Sequence, residues 1–151
     1  MAEQVPELTA HIGYWLRQVS NHVSRAFARK VAMRGVTVAE WAMMRVLYTN
    51  ADIAPSRLAD EMGMTRGAIS KLADRLISKG LVVREESSTD GRAHTLRLTK
   101  KGARLVPELA ALADQNEREC FAHLGNDDRA ILQRILSEAV TQLGITAVAV
   151  D

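Results

Sequence analysis

Between residues 58 and 76 the chain reads LADEMGMTRGAISKLADRL. Two apolar-periodic runs are separated there only by Gly63, Met64 and Thr65, a spacing that leaves room for a tight turn between two helices and little else. In the second run Ile69, Leu72, Ala73 and Leu76 recur at i, i+3, i+4 and i+7. They share one face, and that face must pack on Leu58, Ala59 and Met62 of the first run. Arg66, Gly67, Ser70, Lys71, Asp74 and Arg75 are left pointing outward. A sturdy surface helix opens on long helix formers, whereas this one opens on Arg, Gly and Ala.

The punctuation on either side extends the pattern. Thr9 reads as the N-cap of a long amphipathic helix carrying Ile12, Leu16, Val19, Val23, Phe27 and Val31 and stopping near Gly35. Thr37 with Glu40 three residues on is a capping-box pattern ahead of Trp41, Met44, Leu47 and Tyr48. Pro55 suits the first position of a third, short helix ending at Gly63, and Thr65 caps a fourth that reaches about Lys79 and stops at Gly80. LVVREE and AHTLRLT read as two strands joined by SSTDGR. Thr99 caps a fifth helix through Leu105, Leu109, Leu112 and Ala113 towards Phe121. Ile131, Leu132, Ile135, Leu136, Ala139, Val140 and Leu143 form the stripe of a sixth, ended by Gly144. The expected class is mainly α with one β-hairpin, in the order helix, helix, helix, ribbon that defines a winged helix-turn-helix.

In a helix-turn-helix the second helix enters a DNA major groove N-terminus first, so small residues at its start let the backbone come close to the base edges. The first-turn amides and the positive end of the helix dipole suit a phosphate. Thr65, Arg66, Gly67, Ala68, Ser70, Lys71 and Arg75 are the candidate contacts on this helix. Arg66 and Lys71 are suited to guanine acceptors, Ser70 to either base or phosphate, and Arg75 to a phosphate or to an acid elsewhere in the fold. At the ribbon tip, Asp90, Gly91 and Arg92 form a candidate wing, in which Arg92 has the reach for a minor groove and Asp90 can steady it.

Residues 36–102 resemble the multiple antibiotic resistance regulator (MarR) family, most specifically in LADEMGMTRGAISKLADRLISKGLV, in the wing DGR and in LRLTKKG. Family members usually carry a second basic residue where this chain has Gly91, which implies weaker or more flexible wing contacts. The resemblance implies a homodimer on a pseudo-palindromic operator. Residues 1–35 and 100–151 would supply the dimerisation helices and residues 36–99 the DNA-binding lobe. It also implies a transcriptional repressor released by a small aromatic anion, for which His11, Trp15, Trp41 and Arg45 are the candidate pocket residues. A dimer would cover a sixth helix too apolar to bury in one small lobe.

Composition agrees with these readings. The 151 residues suffice for one domain with a real core, and the net charge of +2 hides an uneven distribution. Lys and Arg against Asp and Glu number 6 to 4 over residues 1–54, 10 to 6 over 55–102, and 4 to 8 over 103–151. The middle is therefore the basic third, where a polyanion would bind. The lone Cys120 can form neither an internal disulfide nor a Cys-based zinc cluster; set in NERECFAHL among acids, it reads as an inert packing thiol. No leader or membrane span is recognisable, so a soluble, cytoplasmic protein is expected, with no membrane partner. His11, His22, His94 and His123 are scattered outside any catalytic motif, and neither an enzyme nor a cofactor is expected. The competing readings are a regulator without an effector and a winged helix that contacts protein.

Overall fold

The computed structural model describes residues 4–86 and 94–148. Six helices and two strands follow in the order α1 (Ile12–Ala32), α2 (Val38–Thr49), α3 (Pro55–Met62), α4 (Arg66–Ser78), β1 (Val82–Glu86), β2 (His94–Leu98), α5 (Lys100–Cys120) and α6 (Asn126–Gln142). Most boundaries coincide with the expected caps. The hydroxyls of Thr37, Thr65 and Thr99 accept the backbone N–H three residues on, at 3.1 Å in each case. Pro55 stands in the first turn of α3, and Gly63, Gly80 and Gly144 take the left-handed conformation at helix ends.

Three local expectations are corrected. Thr9 does not cap α1: it lies in a short 3-10 turn, Leu8–Ala10, whose end His11 precedes the helix, and its carbonyl accepts the Trp15 indole N–H. Glu40 follows the Thr37 cap as expected, yet its carboxylate turns to Lys79 on another element. The stretch NADIAPS is more than a break, because Ile53 pairs with Leu96 through two backbone hydrogen bonds, Ile53 N–H to Leu96 O and the reverse, and so adds an isolated bridge beside the ribbon.

The core lies where α2, α3 and α4 meet the hairpin and the first half of α5. Met43, Met44, Leu58, Met62, Ile69, Leu72, Leu76, Leu96 and Leu109 are all essentially sealed from solvent. β1 and β2 pair antiparallel from Val82 opposite Leu98 to Glu86 opposite His94. Only one face of this ribbon is covered, through Val82 and Leu96.

The joint between ribbon and α5 is unusually close. Thr99 donates its backbone N–H to Leu81 O and its hydroxyl to Gly80 O, while the same hydroxyl accepts from Gly102 N–H. A methyl group on Gly102 would stand 2.1 Å from the Leu81 carbonyl oxygen, so only glycine fits. α1 is held beside α5 by Lys30, which donates to Asn116 Oδ1 and pairs with Glu119, while Asn116 donates in turn to Val23 O. α6 has no buried residue, and Ile131, Ile135, Leu136, Val140 and Leu143 are all exposed. So are Ile12, Trp15, Leu16 and Val19 in the first half of α1.

Candidate nucleic-acid interface and the cleft behind it

α4 is fixed from behind and open in front. Ile69, Leu72, Ala73 and Leu76 are buried, as their spacing requires, and Leu58, Ala59 and Met62 of α3 are buried with them. Thr65, Arg66, Gly67, Ser70 and Lys71 are exposed, with Ala68 half-buried beside them. Arg66 and Lys71 make no ion pair among the described residues. The Thr65 cap satisfies Ala68 N–H, which leaves the amides of Arg66 and Gly67 directed out of the fold. Around Gly67 there is open space: a methyl group built there would meet no atom within 4 Å. The fold itself therefore places no demand for glycine at this position.

Two charged residues further along the helix are already engaged. Asp74 accepts from Arg84 of β1 at 3.1 Å, tying the helix to the ribbon. Arg75 lies within 3.8 Å of Glu40, a long ion pair that leaves its side chain more than half exposed, so the acid-pairing and outward readings of this residue coexist. The wing candidates Asp90, Gly91 and Arg92 lie outside the described residues. The strands that lead to them are paired as far as Glu86 and His94, and Arg97 and Glu85 pair across the ribbon.

Away from α4, a cleft of about 580 Å³ opens between α1, α2 and α5. Val23 and Phe27, Trp41 and Arg45, and Ala113 and Phe121 are among its walls. The Trp41 indole meets the Phe27 ring edge to face at 6.4 Å, and Arg45 lies one helical turn further on. The cleft thus joins an aromatic wall to an exposed guanidinium, the pair of features that suits a planar organic anion. His11 and Trp15 are not part of it. Trp15 precedes Val23 by eight residues, about 12 Å along α1, and its ring packs edge to face on Tyr14. The sequence reading did not set apart Trp41 and Arg45, which one chain brings to this cleft, from His11 and Trp15, which it leaves further along the chain.

It also overlooked two features. Glu40 is 1% exposed and sits directly before Trp41, so the charged and the apolar residue of one helical turn serve opposite sides of α2. The segment after Gly144 returns over the lobe, with Val148 on the cleft wall and Ala147 so close to Gly63 that a methyl on that glycine would collide with it. Nothing in the composition of ITAV signals that return.

Residues 34–93 match the model of the MarR family. The chain is 29% identical over 136 residues, 89% of its length and 82% of the relative's, to a Thauera aromatica protein assigned as a transcriptional regulatory protein for the hcr operon. It is 25% identical to the multiple antibiotic resistance protein MarR of Escherichia coli over 85% of this chain and 90% of that one. The transcriptional repressor CouR, solved bound to a 23-mer DNA duplex, superposes with a TM-score of 0.80 at 28% identity, over 93% of this chain and 99% of that one. Over its winged-helix lobe, and at lower identity over most of its length, the chain is similar to the MarR family. It shares the winged-helix fold of these relatives, which are transcriptional regulators and not enzymes. A cysteine-to-serine mutant of the Escherichia coli MarR protein, complexed with operator DNA, superposes with a TM-score of 0.76 at 25% identity over 85% of this chain and 93% of that one. Among the described residues, no helix is long and apolar enough to cross a membrane.

Proposed function

We propose that this protein is a homodimeric repressor that reads a pseudo-palindromic operator by placing the first turn of α4 in the major groove. The observation that carries the reading is that turn itself: exposed, unobstructed and glycine-bearing, where its own fold leaves the space around Gly67 empty. Arg66 and Lys71 supply long donors for guanine edges, and the amides of Arg66 and Gly67, with Thr65, Ala68 and Ser70 alongside, form a phosphate seat. Arg92, with Asp90 and Gly91, is assigned to the wing and to the adjacent minor groove. The solved DNA complexes of CouR and of the Escherichia coli MarR mutant support a duplex as the partner.

The dimer reading rests on the exposed apolar stripes of α1 and α6, which are covered if residues 1–35 and 100–151 of two copies pack together. Two recognition helices then stand about 34 Å apart, one turn of duplex. In the cleft, a small aromatic acid is the proposed effector, its carboxylate on Arg45 and its ring on Trp41. His11 and Trp15 do not line this cleft within one chain, and the effector reading rests on Trp41 and Arg45.

Selection of bound duplexes from a random pool, repeated with Arg66→Ala and Arg92→Ala, tests the operator reading. Loss of preference at discrete major-groove positions is expected for the first and at flanking A·T-rich positions for the second; an unchanged sequence profile in both contradicts it. For the effector, release of the selected duplex by benzoate or salicylate is expected in the wild type and lost in Arg45→Ala. Equal release from both proteins removes Arg45 from the site.

A further inference from the structure

A buried carboxylate at the other end of the recognition helix is used by nothing described so far. Glu40, in the first turn of α2, is 1% exposed, and its Oε2 lies 2.6 Å from Lys79 Nζ while its Oε1 lies 3.8 Å from Arg75 Nε. Lys79 is the C-cap of α4 and also donates to the Gly35 carbonyl at 2.8 Å, so its ammonium bridges the loop before α2 and α2 itself. Its own carbonyl accepts from Lys101 at the start of α5. The C-terminal end of α4 is thereby pinned to the base of the lobe by charge, in addition to the apolar packing of Ile69, Leu72, Ala73 and Leu76 along the helix.

We propose that Glu40 is a positioning residue for sequence reading: it pins α4 through Lys79 and offsets the charge of the still exposed Arg75, so that the helix meets a duplex with its first turn. Arg75 follows Lys71 by four residues and shares a flank with it. With Glu40 charged, that flank presents one unpaired cation near the helix tip. Without the charge it presents two, one of them deep along the helix, where it reaches a phosphate whatever the base sequence. A phosphate contact made this way adds affinity for all duplexes and rewards a helix lying flatter across the backbone. Glu40 thus trades general adhesion for specificity.

The inference rests on the assignment of α4 as the recognition helix, and the experiment separates the two. The full-length wild type, Glu40→Gln and the double variant Glu40→Gln/Arg75→Gln are titrated with the wild-type-selected duplex and a scrambled duplex across a range of salt, with helix content and unfolding followed in parallel. For Glu40→Gln the ratio of selected to scrambled affinity is expected to fall at least about tenfold. Its salt dependence steepens by about 0.9 in log–log slope for each released cation that reaches a phosphate. Adding Arg75→Gln returns the slope to the wild-type value. A purely structural role for Glu40 weakens both duplexes together at an unchanged slope, and that result, or an unchanged affinity ratio, overturns the proposal. Should Glu40→Gln not fold, Glu40→Gln/Lys79→Gln, which neutralises both members of the pair, is measured against the same two criteria. A wild type that binds no duplex at all brings down the functional reading as well, and this is read first.

Discussion

Two glycines of this chain look alike in sequence and differ in what surrounds them. Gly102 is required by its own fold, because a methyl group there would lie 2.1 Å from Leu81 O and 3.2 Å from a Leu98 methyl. Gly102→Ala is therefore expected to force α5 away from the ribbon and to cost about 1–3 kcal/mol, read as a lowered denaturation midpoint. Gly67 faces open space, so Gly67→Ala should stabilise the free protein by up to about 1 kcal/mol through helix propensity. The same substitution is expected to weaken binding to the selected duplex about tenfold, a difference of about 1.4 kcal/mol. A variant that is more stable and binds equally well would show that the bare first turn serves no close approach. The contrast was half legible in the sequence: the small residues at the start of α4 stand out, whereas the crowding at Gly102 depends on a carbonyl more than twenty residues away in the chain.

Elements bounded by local chemistry were the readable ones. Thr37, Thr65 and Thr99 cap, Pro55 starts and Gly63, Gly80 and Gly144 stop, each through a hydrogen bond or a dihedral angle fixed within a few residues. Ile53 escaped because its strand partner, Leu96, is remote and a single bridge has no period to detect. Glu40 escaped because a capping box explains a Thr–x–x–Glu pattern so readily that a distant lysine is not sought. The α1–α5 contact carries a pH prediction. Hydrogen bonding to the Lys30 ammonium, helped by Gln115, lowers the carboxyl of Glu119 below its ordinary value of 4.5. Its folded-state value lies below the unfolded one, so the contribution to stability is complete above about pH 4.5 and is lost as pH falls through the lowered value. In Glu119→Gln this part of the acid dependence should vanish, leaving stability above pH 6 little changed because both partners reach solvent; thermal melts from pH 3 to 7 check it.

At the scale of the whole molecule, the exposed stripes of α1 and α6 and the open face of α4 lie on separate parts of one chain, and the proposed two-fold dimer gives each a role. Ile135→Asp combined with Leu136→Asp is expected to yield monomers in sedimentation while the lobe built on Met43, Leu58 and Ile69 stays folded. Those monomers should lose most of their affinity for a full operator and keep that for a half-site. The stripe of α6, and that one small lobe could not bury it, was legible in the sequence; how far it and the first half of α1 stay exposed was visible only once the helices were placed. Methylation interference on the selected duplex is the most direct test of the central claim. Blocked guanine N7 positions are expected in two major-groove clusters about 10 base pairs apart, related by the operator's symmetry and lost together in Arg66→Ala. Binding that ignores methylation in the major groove, or a single unpaired cluster, would contradict it.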